Sequence, residues 1–594
     1  MHTTPPSPAG PAGAGAEAAS DRWATFHADR TLVVAARTVT STVRVLECLP
    51  ALVRDDGRIS VVFAHDPTSA FGEGVLDLLH DAGCRVIPWD RISEASPDLI
   101  LSASENIEVP AGDCPVLVLP HGVGFQKLVP DSRAARVRLS GLVPDALLEA
   151  GRAWLAVSHP GQEEQLLAAH PKTAGHTLLV GDPCFDELLA ALAHRPAHRR
   201  ALGVPDDRRL VVVSSTWARS SLIGQDPKLP ARLLAALPYD EYRVALILHP
   251  NVWSRHGAWQ LRTSQLASAL AAGLILVPPV HDWRSALVAA DLVIGDHGSV
   301  TLYGAALGAP VLLGAFGEES VPGTAAASLA GLAPRLEPGA QGTELAARVA
   351  AAVDGYEPGR YAPVAREAFA EPGRAHARLR GALYRLLRLA EPDSAPPYAP
   401  ALPLPEPPRA TPCTAWWVTT GAGSGATGPG TGPIAVRRFP AAAGEPAAGD
   451  GSGDGSGDGF THLACEDTEP DRRLTESASV VLGRAAGDPA GWVADTLAAW
   501  PGAVLAAVTV EACGGTGTGG GAAGSGVVLV GLRDGRTLAV EGSGDPGLAA
   551  AAVYACLRSG RPLADAEVTL RLGTAPAQGF VRLRLRLQGA QPLP

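Results

Sequence analysis

The stretch ADLVIGDHGSVTLYGAALGAP, Ala290 to Pro310, decides how this chain reads. A short, mostly apolar run enters Asp296-His297-Gly298-Ser299, and a small-residue segment of helical character follows at once. That is a strand, a tight turn and a helix. Gly298 lets the turn close and a ligand approach the backbone. Ser299 and Thr301 fall at the start of the helix, where backbone N–H groups have no intrahelical partner. Such a helix start suits a phosphate. Simple capping by Ser299 explains the same residues equally well, so the flanking sequence has to decide.

Working outward, the pattern repeats. TLVVAAR, RISVVFA, CRVIPW, PDLILSA, PVLVLP, AWLAVS and HTLLVGDP are apolar runs separated by helical spacings between about residues 31 and 190. RLVVVSST, YRVALILHP, GLILVPPV, DLVIGD and PVLLGAF form a second series from about residue 209. Strands that are apolar throughout and alternate with helices belong to parallel sheets covered on both faces. The expected fold is α/β: a pair of facing, doubly wound Rossmann-type domains, then a flexible linker and a small α+β domain. The expected boundaries are a disordered tail over 1–22, an N-terminal Rossmann-like domain over 23–205 and a nucleotide-binding one over 206–392. A Pro/Gly/Ser-rich linker over 393–470 and an accessory domain over 471–594 follow. Within the linker, the repeat GDGSGDGSGDG fits no calcium-loop period and reads as flexible chain. In the last domain, SGVVLVGLRDGRTLAVEG predicts a hairpin with an Asp-Gly turn. There, FVRLRLRLQ puts Leu583, Leu585 and Leu587 on one face of a strand and Arg582, Arg584 and Arg586 on the other.

Composition narrows the function classes. The 594 residues carry a formal net charge of −11, against a general nucleic-acid binder. Only three lysines occur, Lys127, Lys172 and Lys228, so arginine richness reflects coding bias and not phosphate recognition. The eight cysteines form no CxxC pair, which predicts free thiols in a reducing, cytoplasmic setting. Residues 1–20 lack the basic and apolar regions of a signal peptide. The basic, amphipathic RAHARLRGALYRLLRLA (374–390) could touch the inner face of a membrane peripherally. The simpler reading makes it the helix that closes the second domain.

In open parallel sheets, ligands sit beyond the carboxyl ends of the strands. Five of those ends are polar here: His121-Gly122; Gly181-Asp182-Pro183-Cys184-Phe185-Asp186; Ser214-Ser215-Thr216-Trp217; His249-Pro250-Asn251; and Asp296-His297-Gly298-Ser299. They would line one cleft if the two units faced each other.

In motif order the chain resembles the CDP-glycerol glycerophosphotransferases, which include teichoic acid polymerases. The matching residues are His121-Gly122, then Gly181, Pro183 and Asp186, then Thr216-Trp217, His249-Pro250, and Gly295 to Ser299 followed by Gly308 and Pro310. The non-hydrolysing UDP-N-acetylglucosamine 2-epimerases are similar at the same places, and the match spans about residues 30–390. Cys184, Val123-Gly124 and His297-Gly298 depart from the glycerophosphotransferase pattern.

The resemblance implies a GT-B-type transferase. It would move a glycerophosphate or sugar group from a CDP- or UDP-linked donor to an acceptor hydroxyl. His121, His249 and Asp296 would be catalytic, with His121 the general base. Gly122, Asp186, Ser214, Thr216, His249, His297, Gly298, Ser299 and Thr301 would bind substrate. The donor diphosphate would rest on the helix that begins at Ser299. Asp296 would either orient His297 or contact a ribose. No metal, cofactor or nucleic acid is expected. A 2-epimerase-like enzyme and a non-catalytic binding module are the alternatives.

Overall fold

The computed structural model describes residues 25–130, 137–393, 399–407, 412–422, 432–446, 459–510, 526–573 and 579–590. The N-terminal tail (1–22) and the Asp-Gly-Ser-Gly repeat up to residue 458 lie outside them. The chain divides into two compact units. One comprises residues 1–193, 319–328 and 362–402, and the other 194–318, 329–361 and 403–594.

The first unit is built on a parallel sheet. Its strands are β1 (Arg30–Ala36), β2 (Ile59–His65), β3 (Val86–Pro88), β4 (Leu99–Ser102), β5 (Val116–Val118), β8 (Ala153–Val157) and β9 (Thr177–Leu179). A small hairpin, β6 (Leu128–Pro130) and β7 (Val137–Leu139), stands apart. The sheet order is β3-β2-β1-β4-β5-β8-β9, so the order reverses between β1 and β4. β1 sits centrally and Leu32 to Ala36 are wholly buried, as a run without polar residues requires. Helix α1 (Val39–Leu52) starts from a capping box in which Thr38 and Ser41 satisfy each other's backbone N–H groups. Helices α2 (Pro160–Ala169) and α3 (Pro183–Ala191) follow β8 and β9, each with proline in its first turn.

The second unit begins with another parallel sheet. Its strands are β10 (Arg209–Ser215), β11 (Tyr242–Leu248), β12 (Ile275–Val277), β13 (Leu292–Gly295) and β14 (Val311–Leu313), in the order β12-β11-β10-β13-β14. The reversal falls between β10 and β13. Helix α4 (Pro250–Gln260) leaves β11, and α5 (Ser299–Ala306) leaves β13. Gly304 lets α5 lie close on the sheet, because a Cβ there would come within 3.0 Å of Val293. Both doubly wound sheets expected from the sequence are therefore present.

Helix α6 (Ala375–Leu387) corrects one expectation. Leu379, Ala382, Leu383, Tyr384 and Leu387 pack in the core of the first unit with Leu32, Val34, Val45 and Leu49. Segment 374–390 thus completes the first unit and not the second. Its apolar face is consumed in that core, so it is not offered to a bilayer. No helix among the described residues is long and apolar enough to cross a membrane.

The C-terminal region is a larger correction. In place of a small α+β module it forms a closed barrel of nine strands. They are β15 (Ala415–Ala422), β16 (Ile434–Pro440), β17 (Gly459–Glu466), β18 (Val480–Ala486), β19 (Leu505–Val510), β20 (Val527–Leu532), β21 (Arg536–Glu541), β22 (Ala566–Leu572) and β23 (Phe580–Ala590). The first three strands fall inside the stretch expected to be linker, 393–470. Glycine-rich connections on both sides dilute their short apolar alternation. Helix α7 (Pro489–Ala499) covers the outside of β18 to β20. Helix α8 (Pro546–Ser559) joins inward residues of all nine strands in a single apolar cluster, so it is the barrel's core. Only a run as slim as Ala549 to Ala552, all fully buried, lets strands close around a helix in this way. The Asp-Gly hairpin between β20 and β21 is as expected, with Gly535 at φ 87°.

The barrel is fastened to the second sheet through a buried charge. Arg438 donates to both oxygens of Asp240 (2.8 and 2.7 Å) and to Asp545 (2.9 Å), which caps α8. Burial acts to lower the guanidinium pKa, and the two carboxylates outweigh it and raise it. Beside it, the Tyr239 ring lies under the guanidinium of Arg243 at 3.8 Å and edge-on to Trp416. Asp240 precedes β11, so the joint lies at the opposite end of that strand from His249, about 20 Å away for seven residues.

Candidate functional site

Each sheet carries candidate functional residues beyond its strand ends. In the first unit, β4 leads into Ala103-Ser104-Glu105 and β5 into Pro120-His121-Gly122. His121 Nδ1 lies 3.3 Å from the carbonyl oxygen of Ala103. A carbonyl can only accept, so Nδ1 carries the proton and Nε2 holds a free lone pair. His121 is itself exposed. The surrounding protein still desolvates its ring, the main reason its pKa falls below the usual 6.5. Glu105 opposes that fall, while Lys127 and Arg44 add to it. Glu105 is buried, and its Oε1 accepts from Gly141 N–H (3.2 Å) and Arg138 (3.4 Å). Desolvation pushes its pKa up, but His121, Arg138 and the backbone donors outweigh it and keep Glu105 ionised.

The loop bearing His121 is held from several sides. Arg44 on α1 donates from Nε to the Pro120 carbonyl (3.2 Å) and from its other end to Asp182 (2.7 Å). Asp182 in turn caps α3 through Phe185 N–H at 3.1 Å. Gln126 and Gln162 both donate to the Gly124 carbonyl, at 2.9 and 3.3 Å. Gly124 sits so close to Pro120 that a Cβ would come within 3.0 Å. Gly122, expected to bind substrate, is half-buried within this loop.

Asp186, also expected to bind substrate, faces inward. It is 4% exposed, and its two oxygens accept from Gly373 N–H (2.6 Å) and Ala375 N–H (2.8 Å). It therefore fastens the start of α6 to the first unit. Its position four residues after Asp182 placed it on a helix, but its facing partners lie nearly two hundred residues onward.

In the second unit, Asp296 is the keystone. It is 1% exposed and accepts three backbone N–H bonds, from Thr216 (2.8 Å), Leu222 (2.9 Å) and Gly298 (3.0 Å). One carboxylate thus ties the loop after β10 to the turn after β13, at the point where the strand order reverses. Burial raises its pKa; the three donors and His297 oppose the rise. Gly298 is required because a Cβ would meet Asp296 at 3.0 Å and Thr216 at 3.3 Å. Asp296 acts here as a positioning residue, with both oxygens engaged by backbone N–H groups, where the sequence reading offered catalysis, orientation of His297 or a ribose contact.

The turn presents His297, whose Nδ1 accepts from Gly317 N–H at 3.1 Å. His249 Nδ1 accepts from Asn251 N–H at 3.1 Å and caps α4. A ring nitrogen that accepts is unprotonated, so in both residues Nε2 carries the hydrogen and is a donor. Both side chains are partly exposed. Helix α5 begins beside them. Its N-cap is Gly298 and no side chain caps it, so Ser299 is the first helical residue and not the cap. That helix start suits an anion.

Ser214 and Thr216 are buried at the end of β10, and Thr216 contributes through its backbone N–H. Thr301 is a further correction. It is wholly buried and fills the space left by Gly295, where a Cβ would collide with it. Its hydroxyl makes no hydrogen bond among the described residues, so Thr301 packs the helix on the strand and does not face a ligand. No group of three or more His, Cys, Asp or Glu able to hold a metal occurs among the described residues. Seven cysteines lie among those residues, all free thiols.

No family model and no curated protein matches the chain. Solved structures do. The wall teichoic acid polymerase TagF is similar over 61% of this chain and 90% of its own, at 13% identity and a TM-score of 0.41. A glycosyltransferase from Rickettsia africae is similar over 61% and 99%, at 12% identity and TM-score 0.35. A Listeria monocytogenes protein assigned as a UDP-N-acetylglucosamine 2-epimerase is similar over 62% and 99%, at 14% identity and TM-score 0.37.

The chemistry of the two parts differs in kind. The first unit offers an exposed base with an ionised carboxylate behind it. The second offers two imidazole N–H donors and a helix start that no side chain caps. Sequence reading missed Glu105 and Arg44. Glu105 had a signal, since Ser104-Glu105-Asn106 follows an apolar strand as the other polar ends do. Arg44 lies inside an amphipathic helix and had none.

Proposed function

We propose that the protein is a nucleotide-dependent transferase, moving a glycerophosphate or sugar group from a nucleotide-diphosphate donor to an acceptor hydroxyl. The observation that carries the reading is the hydrogen bond from His121 Nδ1 to the Ala103 carbonyl. It leaves Nε2 as the basic atom, on a ring whose depressed pKa keeps it neutral at physiological pH. His121 takes the proton of the acceptor hydroxyl. The acceptor oxygen bonds to the transferred phosphorus or anomeric carbon, and the bond from that atom to the leaving phosphate oxygen breaks. The imidazolium formed is stabilised by Glu105. Charge on the leaving diphosphate is met by His249 Nε2–H, His297 Nε2–H and the start of α5, groups already oriented before substrate arrives. The donor is CDP- or UDP-linked, as the resemblance implies.

The test has two parts. Thermal shifts with CDP, UDP and GDP identify the nucleotide, because a ligand that binds the folded form raises Tm by mass action. With the responding nucleotide's sugar or glycerol donor, His121→Ala is expected to lower turnover about 10²–10⁴-fold while leaving the thermal shift intact. Turnover unaffected by His121→Ala overturns the catalytic assignment. Nucleotide binding without transfer favours the binding-module alternative.

A further inference from the structure

Residues 319–328 belong to the first unit, although the chain on either side of them belongs to the second. Main-chain bonds hold them there. Ser320 bridges to Lys127, Leu128 N–H donates to the Glu319 carbonyl (2.7 Å), and Val321 N–H donates to the Gln126 carbonyl (3.0 Å). The Val321 side chain packs on the core cluster that contains Phe125 and Leu139. Gln126 also acts through its side-chain amide. Its Oε1 accepts from Ala326 N–H (3.1 Å), and its Nε2 donates to the Gly124 carbonyl (2.9 Å). One side chain thus joins segment 319–328 to the loop that carries His121.

Phe125, between Gly124 and Gln126, has φ 61°, in the left-handed region that a bulky aromatic residue seldom enters. Its ring is buried against Gly141, where a Cβ would come within 2.6 Å of it. Its carbonyl accepts from Gln165 at 2.7 Å. Such a conformation persists only where the surroundings over-determine it. Without the Gln126 amide the turn can relax toward the ordinary region, and the His121 loop moves with it. At its other end the same stretch of chain reaches the second unit's histidine turn. Gly317 donates its N–H to His297 Nδ1 (3.1 Å), and only Glu318 separates it from Glu319. The chain therefore has no slack between the bond to His297 and the bond to Leu128.

We propose that Gln126 is a positioning residue for the base, and that through segment 319–328 it makes the geometry of His121 answer to occupancy of the turn at His297. The proposal rests on the transferase reading above. His121 touches the reacting hydroxyl. Gln126 does not, and acts by fixing the Gly124 carbonyl and the strained turn at Phe125. A nucleotide phosphate that takes the His297 Nε2–H bond holds the ring in place and, through Nδ1, holds Gly317. Segment 319–328 then keeps Gln126 and the His121 loop in the productive arrangement. The base is fully positioned when the donor is bound, which disfavours proton abstraction before a donor is present.

The experiment uses the full chain, whichever of CDP, UDP and GDP raises Tm, and the glycerol or sugar donor of that nucleotide. Hydrogen exchange, read by mass spectrometry, follows the peptide containing residues 121–128. In wild type the nucleotide is expected to slow exchange there by about threefold or more. Gln126→Met keeps the length of the side chain and removes both amide bonds. It is expected to lower turnover about ten- to a hundredfold, with the larger part of the loss in kcat and not in KM. The nucleotide's thermal shift is expected to persist, and its effect on the 121–128 peptide to vanish. Val321→Ala loosens the segment without touching Gln126, and should move the same readouts in the same direction by less. An unchanged kcat in Gln126→Met overturns the positioning role, as does loss of the thermal shift in that variant, which marks a general structural defect. A thermal shift in wild type without any change of exchange at 121–128 overturns the coupling while the transferase reading stands. No thermal shift with any nucleotide is the failure of that reading, and the proposal falls with it.

Discussion

The two parallel sheets use histidine at their strand ends in opposite ways. In the first unit His121 gives its Nδ1 proton to a carbonyl, and the free nitrogen becomes a base. In the second, His249 and His297 take backbone N–H bonds at Nδ1, and Nε2 becomes a donor. The residue type is the same, and each histidine follows the carboxyl end of a parallel strand. What differs is the backbone group that each turn presents. The tautomer, and with it the chemical role, is chosen by a single main-chain contact. Surroundings divide the carboxylates similarly. Glu105 faces a titrating ring, whereas both oxygens of Asp296 are engaged by backbone N–H groups.

The largest effect that would break this comparison is expected at Asp296. Asp296→Ala strands two N–H groups in the loop after β10 and one in the turn, and loses the link between them. The expected cost is about 3 kcal/mol, read from the urea midpoint, together with loss of any nucleotide thermal shift. A fully retained shift would show that the loops hold their positions without it. Asp296→Asn keeps acceptor capacity and should fall between.

An intermediate effect is expected at Glu105. The general base acts when neutral, so kcat/KM should rise with pH through the pKa of His121 and level off above it. That midpoint should lie below 6.5, since the folded environment lowers it. Glu105 holds the pKa up, so Glu105→Gln should move the acid limb further down, by about half to one pH unit. The plateau should fall as well, because the imidazolium loses its counter-charge. An acid limb moving upward would refute the electrostatic role.

The smallest effect is expected at Thr301. Its hydroxyl is buried without a hydrogen bond, so Thr301→Val should leave stability within about 1 kcal/mol of wild type, or raise it. Nucleotide response should be unchanged. A marked loss of nucleotide binding would return Thr301 to the ligand face.

Legibility of the site followed sequence distance. The turn at residues 296–299 could be placed from local pattern, because a strand end, a glycine and a helix start lie within a few residues. The contact of Asp296 with Thr216 spans 80 residues, and that of Asp186 with Ala375 spans 189. Neither leaves a local mark, so one carboxylate looked like a ligand for ribose and the other like a substrate contact. Thr301 was misread for a related reason. Its place near a helix start suggested a free hydroxyl, but Gly295 opened a pocket beneath it.

By itself the sequence determined the two doubly wound sheets, since strands buried on both faces must be apolar throughout and their helices must alternate with them. It also determined which strand ends are polar, and so where chemistry could gather. Tertiary structure alone decided which nitrogen of each histidine carries its proton, which carboxylates are engaged by backbone, and that segment 374–390 returns to the first unit. It also decided that the chain beyond residue 412 closes into a barrel around an alanine-rich helix. Each of these depends on which groups from distant segments meet, and closure depends on strands finding neighbours across long glycine-rich connections. Hydrophobic periodicity reports the face that a residue turns inward. It carries no record of what waits on the other side.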